Sequence, residues 1–227
     1  MPDRVSAAVD EAVFSAHPEY VALILLAEGI GNGPSDDGSS AVLDEAEQHL
    51  RARGLTRPAD DPHITSWRGA FSAFGAKPSK YPCSAEALAS RVLKGGTLPR
   101  VNVLVDLYNA VSARSLTPIG GEDLDHLQGA LRLTIADGDE HFDGPDGAPR
   151  PGEIVWRDDA GVTCRRWNWR QGVRTRLTDA TTRAFFVFDR LPGLAERDLD
   201  AAAAQLESLL KERWPGCPTE RIRLSRG

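Results

Sequence analysis

Near residue 125 the apolar residues of this chain change their period, and no other feature of the sequence restricts the fold as much. Upstream they recur mostly at helical spacing; downstream they alternate with polar residues, as on a strand whose successive side chains point to opposite faces. Residues 129–136 (GALRLTIA), 153–157 (EIVWR), 162–169 and 184–189 (AFFVFD) read as short strands separated by turn-forming Gly, Pro and Asp. A closing helix is expected over 195–213, carrying Leu199, Leu206, Leu209 and Leu210. Helices followed by strands imply an α+β fold, with a mixed or antiparallel sheet or sandwich in the second half and the helices packed on its outside.

The first half also holds strand signals. Residues 5–14 and 20–27, separated by His17-Pro18-Glu19, suit two strands, the second apolar enough to be buried on both faces. The glycine-rich segment 29–40 (GIGNGPSDDGSS) follows that strand and precedes a helix expected over 41–53, the setting of a dinucleotide loop. Its spacing is not GxGxxG and its aspartates would repel a pyrophosphate, so it reads as a plain loop. Pro62, capped by Asp61, opens a helix bearing Ile64, Trp67, Phe71 and Phe74. Another runs from a Ser84 cap to Lys94 and stops at Gly95-Gly96.

The segment between Pro99 and Pro118, containing VNVLVDLYNAVSARSL, forms an amphipathic helix of an unusual kind. At about 100° per residue, Asn102, Asp106, Asn109 and Ala113 share one narrow arc, with Ser112 beside it. Short amides and a carboxylate are poor helix formers, so something other than helix propensity selects them. Two explanations stand side by side: the stripe caps loops and satisfies buried backbone, or it lines a ligand site.

With 227 residues, 41% hydrophobic and 26% charged, the chain has a globular composition, which excludes disordered and fibrous classes. At this size roughly 70–75% of the unfolded surface can be buried without disulfides. One domain over 1–227 is expected: N-terminal strands and helix to residue 60, a central segment 63–191 and the closing helix. The longest apolar run, from Tyr20 to Ala27, falls short of the ~18 residues of a membrane span. Asp3, Asp10 and Glu11 argue against a signal peptide, so the cytoplasm is the expected address. The 3 cysteines and 5 histidines show no metal-ligand spacing, so neither a metal nor another cofactor is expected.

A net charge of −6 argues against binding nucleic acid over the whole surface but leaves room for a local patch. The best candidate is residues 164–176 (CRRWNWRQGVRTR), where Arg165, Arg166, Arg170, Arg174 and Arg176 interleave with Trp167 and Trp169 and no acid intervenes. On one continuous strand, Arg166, Asn168 and Arg170 would share a face and Arg165, Trp167 and Trp169 the other. Guanidinium forks beside indole faces suit single-stranded RNA ends. The competing explanation is that a Trp plugs the core while the arginines pair with acids.

From His63 to Leu191 the chain resembles the tRNA-binding and editing domain of the phenylalanyl-tRNA synthetase beta subunit, in its free-standing form. The resemblance is carried by LPRVNVLVDLYNAVSARSLTPIGGEDLDHLQG, which places Asn102, Asp106, Asn109, Pro118 and Asp123 at pattern positions; RRWNWRQ and GEIVW are similar to the free-standing branch. Gly120 stands where the synthetase pattern has His, Thr182 corresponds to a pattern Thr, and Val187 falls where an acid is expected, with Asp189 nearby. The synthetase domain hydrolyses tyrosine wrongly esterified to tRNA, and these departures bear on that amino-acid specificity.

The resemblance implies a trans-acting aminoacyl-tRNA deacylase whose partner is the aminoacylated 3′ end of tRNA, with no DNA and no membrane partner. Such ester hydrolysis needs positioned water and donors for the oxyanion, not a Ser-His-Asp triad, and no GxSxG is present. Asn109, Asp106, Asp123 and Thr182 are the candidate catalytic residues: either aspartate could orient water, and Asn109 could hold the amine or the ester. Asn102, Ser112, Arg165, Arg166, Trp167, Asn168, Trp169 and Arg170 are the candidate substrate contacts. A non-catalytic RNA-binding module and a small-molecule binder using the same pocket are the alternatives.

Overall fold

The computed structural model describes residues 6–226; Asp3 and Val5, which entered the reading of the amino terminus, lie outside them. Strand β2 (Val21–Glu28) is apolar throughout its first half because it is central in an antiparallel sheet, between β8 (Arg183–Arg190) and β9 (Thr219–Ser225). Adding β3 (Ile119–Asp123) gives the order β3-β8-β2-β9. Alternation sends Val21, Leu23, Leu25, Phe186 and Phe188 to one face and Ala22, Ile24, Phe185 and Val187 to the other.

The first face is covered by α5 (Val103–Ser115), through Leu104, Leu107 and Val111, and by α6 (Glu196–Arg213), through Leu199, Leu206 and Leu210. The second meets a five-stranded sheet ordered β1 (Ala7–Val9), β4 (Leu131–Ile135), β5 (Ile154–Asp158), β6 (Gly161–Arg165) and β7 (Arg170–Gln171). Only β1 and β4 run parallel, so this sheet is mixed. Leu131, Leu133, Ile154 and Trp156 join Ile24, Phe185 and Val187 in one buried cluster. Helices α1 (Glu11–Ala16), α2 (Asp37–Ala52), α3 (Pro62–Ala73) and α4 (Ser84–Leu93) close its flanks with Val13, Leu50, Trp67 and Ala89.

The fold is α+β with helices packed around two sheets, as the change of period implies. Several details differ from the sequence reading. Helix α2 begins at Asp37, inside the segment expected as a loop, with Asp36 as its N-cap, and Ser84 is the first residue of α4, not its cap. The first expected strand ends at Val9 and gives way to α1, whose acidic Glu11 favours a helix N-terminus. Strands β3 and β9 were not anticipated, since Gly120-Gly121 resembles a turn and TERIRLS resembles a charged tail; β9 lies at the sheet edge, where charge suits an exposed face. Residues 162–169 are not one strand: β6 ends at Arg165, and Arg166 and Trp167 take φ of 46° and 64°.

Left-handed backbone is costly for residues with a Cβ, so this turn needs compensation. Trp167 supplies it by being fully buried, its ring centroid 4.8 Å from Tyr20, 5.0 Å from Trp67 and 5.0 Å from His17, all edge-on. His63 braces the same region as a neutral ring: Nδ1 lies 3.0 Å from the Leu116 carbonyl, and Nε2 accepts from the Trp67 indole N–H (2.9 Å) and the Leu191 amide (3.2 Å). Burial holds its pKa down to about 4, consistent with a ring that stays uncharged. Among the described residues no helix is long and apolar enough to cross a membrane.

Replacing Trp167 by Ala empties the centre of this aromatic cluster and is expected to lower stability by about 3–5 kcal/mol. Urea unfolding monitored by circular dichroism reads this directly. A change below about 1 kcal/mol would show that the turn is held by other means.

Candidate functional site

The same turn shapes one wall of a cavity of about 240 Å³. Ser84 and Leu88 of α4 and Tyr108 and Asn109 of α5 form a second wall. The floor is the sheet face carrying Gly120 and Glu122 on β3 and Val187 and Asp189 on β8. Gly120 pairs with Val187, and a Cβ built on Gly120 would meet nothing within 4 Å, so the missing side chain helps leave the space open. Trp156, Asn168, Trp169 and Gln171 enclose the remainder, and among the described residues no Lys, Arg or His lines it.

Several polar atoms in these walls lack partners. Glu122 is 5% exposed and its Oε2 makes no hydrogen bond; the same holds for Asn168 Oδ1, Trp156 Nε1 and Ser84 Oγ. Buried polar atoms are usually paired, so a group of orphans around one cavity marks a place built for something else to enter. Asp189 contrasts with Glu122: its Oδ1 accepts from Tyr20 Oη at 2.6 Å and its Oδ2 from Asn168 Nδ2 at 3.1 Å.

Burial pushes the Glu122 carboxyl up to about 7. Asp158 acts in the same direction, while the hydroxyls of Thr175 and Thr163 and the guanidinium of Arg174 pull it back. Those hydroxyls stand close enough to favour the ionised form, although neither makes a hydrogen bond of good geometry. Asp189 is likewise raised by burial to about 6, opposed by its hydrogen bonds from Tyr20 and Asn168. Cys164, also in the wall, is pushed well above the usual thiol range by burial and by Glu122 and Asp189, which makes it a poor nucleophile.

Of the polar stripe on α5, only Asn109 faces the cavity. Asn102 is the helix N-cap, accepting from the Val105 amide at 3.0 Å and donating to the Leu177 carbonyl at 3.3 Å. Asp106 accepts from Ser39 Oγ (2.8 Å) and the Val101 amide (2.9 Å), tying α5 to the start of α2. Ser112 donates to the Thr117 carbonyl at 2.6 Å. Asp123 accepts from Thr181 Oγ1 (2.6 Å) and the Asp125 amide (3.0 Å); Thr182 is exposed, and the buried threonine is its neighbour Thr181. Asn102, Asp106, Ser112, Asp123 and Thr182 are therefore not among the residues lining the cavity.

The arginine-tryptophan stretch divides in the same way. Arg165 is 2% exposed and forms a two-pronged pair with Glu153, Nε to Oε1 and Nη2 to Oε2, both 2.9 Å. Arg166 is buried, its guanidinium 3.9 Å from the Tyr81 ring centroid and 4.4 Å from that of Trp169. Trp167 belongs to the core and also lines the cavity, together with Asn168 and Trp169. Arg170 is exposed, stacks 4.7 Å from Trp169 and pairs with Asp146 at 3.3 Å. The separation of faces expected of a straight strand fails because the chain reverses at Arg166 and Trp167.

Glu122 and Trp156 are site residues that the sequence reading passed over. A lone Glu two residues past Gly120 carried no motif, and its burial follows from β3, which was not anticipated. Among the described residues no group of three or more His, Cys, Asp or Glu side chains is arranged to hold a metal ion.

The fold has known counterparts. The B3/4 domain, found in the phenylalanyl-tRNA synthetase beta subunit, matches residues 66–203, and the chain belongs to that family. The span agrees with the resemblance traced over 63–191. Among solved structures, an N-terminal fragment of the phenylalanyl-tRNA synthetase beta-subunit from Pyrococcus horikoshii is similar in fold, with a TM-score of 0.51 and 12% identity. The match covers 97% of this chain and 54% of that one, so this chain spans about half the length of that fragment. No curated protein matches the chain.

The raised carboxyl of Glu122 has a measurable consequence. Its ordinary value is 4.5, so between 4.5 and about 7 the folded protein keeps a proton that the unfolded chain has lost. Stability from this group is full below 4.5 and falls as pH rises through the window, by about 3 kcal/mol in all. His63 acts oppositely between about 4 and 6.5, but equally in variant and parent. The stability of Glu122→Gln relative to the parent should therefore grow by about 3 kcal/mol from acid to alkaline conditions. Urea unfolding on both sides of the window measures it; a difference independent of pH would contradict this titration.

Proposed function

We propose that this protein hydrolyses the ester of an aminoacylated tRNA in trans, receiving the aminoacyl group in the cavity beside α5. The observation that carries this reading is the set of unpartnered polar atoms around a cavity that opens beside an aromatic and cationic rim. Trp169 forms part of the cavity wall and packs edge-on against Tyr81, with ring centroids 4.9 Å apart. Lys80 lies 5.1 Å over Tyr81, and Arg170 lies over Trp169. Such a rim suits a terminal base by stacking and the adjoining phosphates by charge. Family membership supports a role connected with tRNA.

The chemistry asks little of the protein. Water adds to the ester carbonyl, the bond to the ribose oxygen breaks, and that oxygen leaves with a proton. A donor placed where the oxyanion forms lowers the barrier; the amide of Asn109 and the indole N–H of Trp156, which has no acceptor, are the candidates. No activated Ser or Cys is required. Asp106 and Asp123, both engaged in structural hydrogen bonds, are not given the water-orienting role.

A second reading draws support from the inward turn of Arg165 and Arg166, which removes two cations from any RNA surface. On that reading the cavity binds a small amine-bearing molecule without RNA.

The test is a panel of mischarged tRNAs incubated with the protein while ester loss is followed. At least one should be deacylated faster than its spontaneous rate. Gly120→Leu, which fills the cavity from a backbone position with room for a side chain, should slow that reaction at least about tenfold, with the urea midpoint little changed. Equal activity in the filled variant would place the chemistry elsewhere, and no ester loss across the panel would leave the small-molecule reading.

A further inference from the structure

Glu122 is a carboxylate of the cavity wall whose Oε2 receives no hydrogen bond of good geometry and for which no ion pair is found among the described residues. Asp189, the other acid there, has both oxygens occupied by Tyr20 and Asn168. Arg174, whose charge favours the ionised form of Glu122, is committed elsewhere: it donates to both oxygens of Asp158 at 2.9 and 2.7 Å and to the His126 carbonyl. Oε2 of Glu122 is thus a buried acceptor that receives no hydrogen bond of good geometry, even from the nearby hydroxyls of Thr175 and Thr163, in a cavity that no Lys, Arg or His among the described residues lines. Leaving such a group empty is expensive, and an incoming cation would remove the cost.

The remaining walls favour the same kind of ligand. Asn168 offers a second unpartnered acceptor, and Tyr108, Trp156 and Trp169 offer ring surfaces, which attract ammonium groups. A carboxylate or phosphate would meet two acids and, among the described residues, no cation. We infer that Glu122 is the counter-ion for a primary ammonium group on the cavity's ligand, so that the cavity accepts an aminoacyl group with a free α-amine and rejects one whose amine is acylated. This specificity rests on the reading that the aminoacyl group enters the cavity. It separates aminoacyl esters from N-acylated and peptidyl esters at the amine, wherever the amino-acid side chain lies.

The experiment uses amino-acid amides, which keep the amine and cannot be hydrolysed as esters, beside their N-acetyl counterparts. The amides of alanine, leucine, phenylalanine and tyrosine are titrated into the full chain, with the tryptophan indole N–H signals in NMR as the readout. At least one free amide is expected to bind, and its N-acetyl form to bind about 10- to 100-fold more weakly, the usual worth of a hydrogen bond to a charged group. Glu122→Gln should weaken the free amide by a similar factor and leave the acetylated form unchanged. The comparison of ligands on the unaltered protein holds whether or not the variant folds. Equal binding of the two forms, undiminished binding in a folded Gln variant, or no binding by any free amide would overturn the inference. Amine-selective binding without loss of any tRNA ester would instead contradict the hydrolase reading and leave the role of Glu122 standing.

Discussion

The carboxylate of Glu153 is the contact on which the shape of the site depends. It holds Arg165 through two 2.9 Å bonds and also accepts from the backbone amide of Arg166 at 3.1 Å. A buried charge without a partner would be strongly destabilising, and here each charge satisfies the other in a site almost closed to water. Because β6 is anchored at that point, the chain can enter left-handed backbone at the next two residues and drop Trp167 between Tyr20 and Trp67. Asn168 and Trp169 then emerge on the cavity side. Without the turn, the tryptophans would lie on one face of a strand and the cavity would lose a wall.

A second consequence concerns charge. The internal pairing of Arg165 and Arg174 with Glu153 and Asp158 keeps both cations out of the cavity wall, while the sheet face beneath it keeps Glu122 and Asp189. Both carboxyls are raised by burial toward neutral pH, so the cavity wall holds acids that change charge readily when a ligand arrives. The exposed cations, Lys80 and Arg170, sit outside on the aromatic rim. Negative inside and positive at the mouth is an arrangement suited to a ligand with an ammonium group attached to a phosphate-bearing chain.

The sequence disclosed the architecture more readily than the site. The apolar runs of β2 and β8 stand out because each is buried on both faces, and the helices α3, α4 and α6 declare themselves through Pro62, Gly95 and the leucines of 199–210. Strand β3 stayed hidden because its two glycines mimic a turn, and with it went Glu122, whose significance comes only from facing the same side as Gly120 and Val187. On α5 the two explanations of the polar stripe each apply to different residues: Asn102 and Asp106 satisfy backbone and a neighbouring helix, and Asn109 faces the cavity. Spacing alone could not separate them, since all three share an arc and only the surrounding loops decide. The arginine stretch misled for a related reason. Its partner Glu153 lies 12 residues earlier and meets it through sheet pairing.

The central claim is that the cavity beside α5 receives an aminoacyl group. It is tested most directly by a crystal structure of the protein with an amide-linked analogue of an aminoacylated adenosine, which cannot be cleaved as an ester. The account places the aminoacyl part in the cavity, its amine within hydrogen-bond distance of Glu122 and its carbonyl facing Asn109 or Trp156, with the adenine against Tyr81 or Trp169. An analogue seated elsewhere on the protein, or reversed so that adenine fills the cavity, would contradict it.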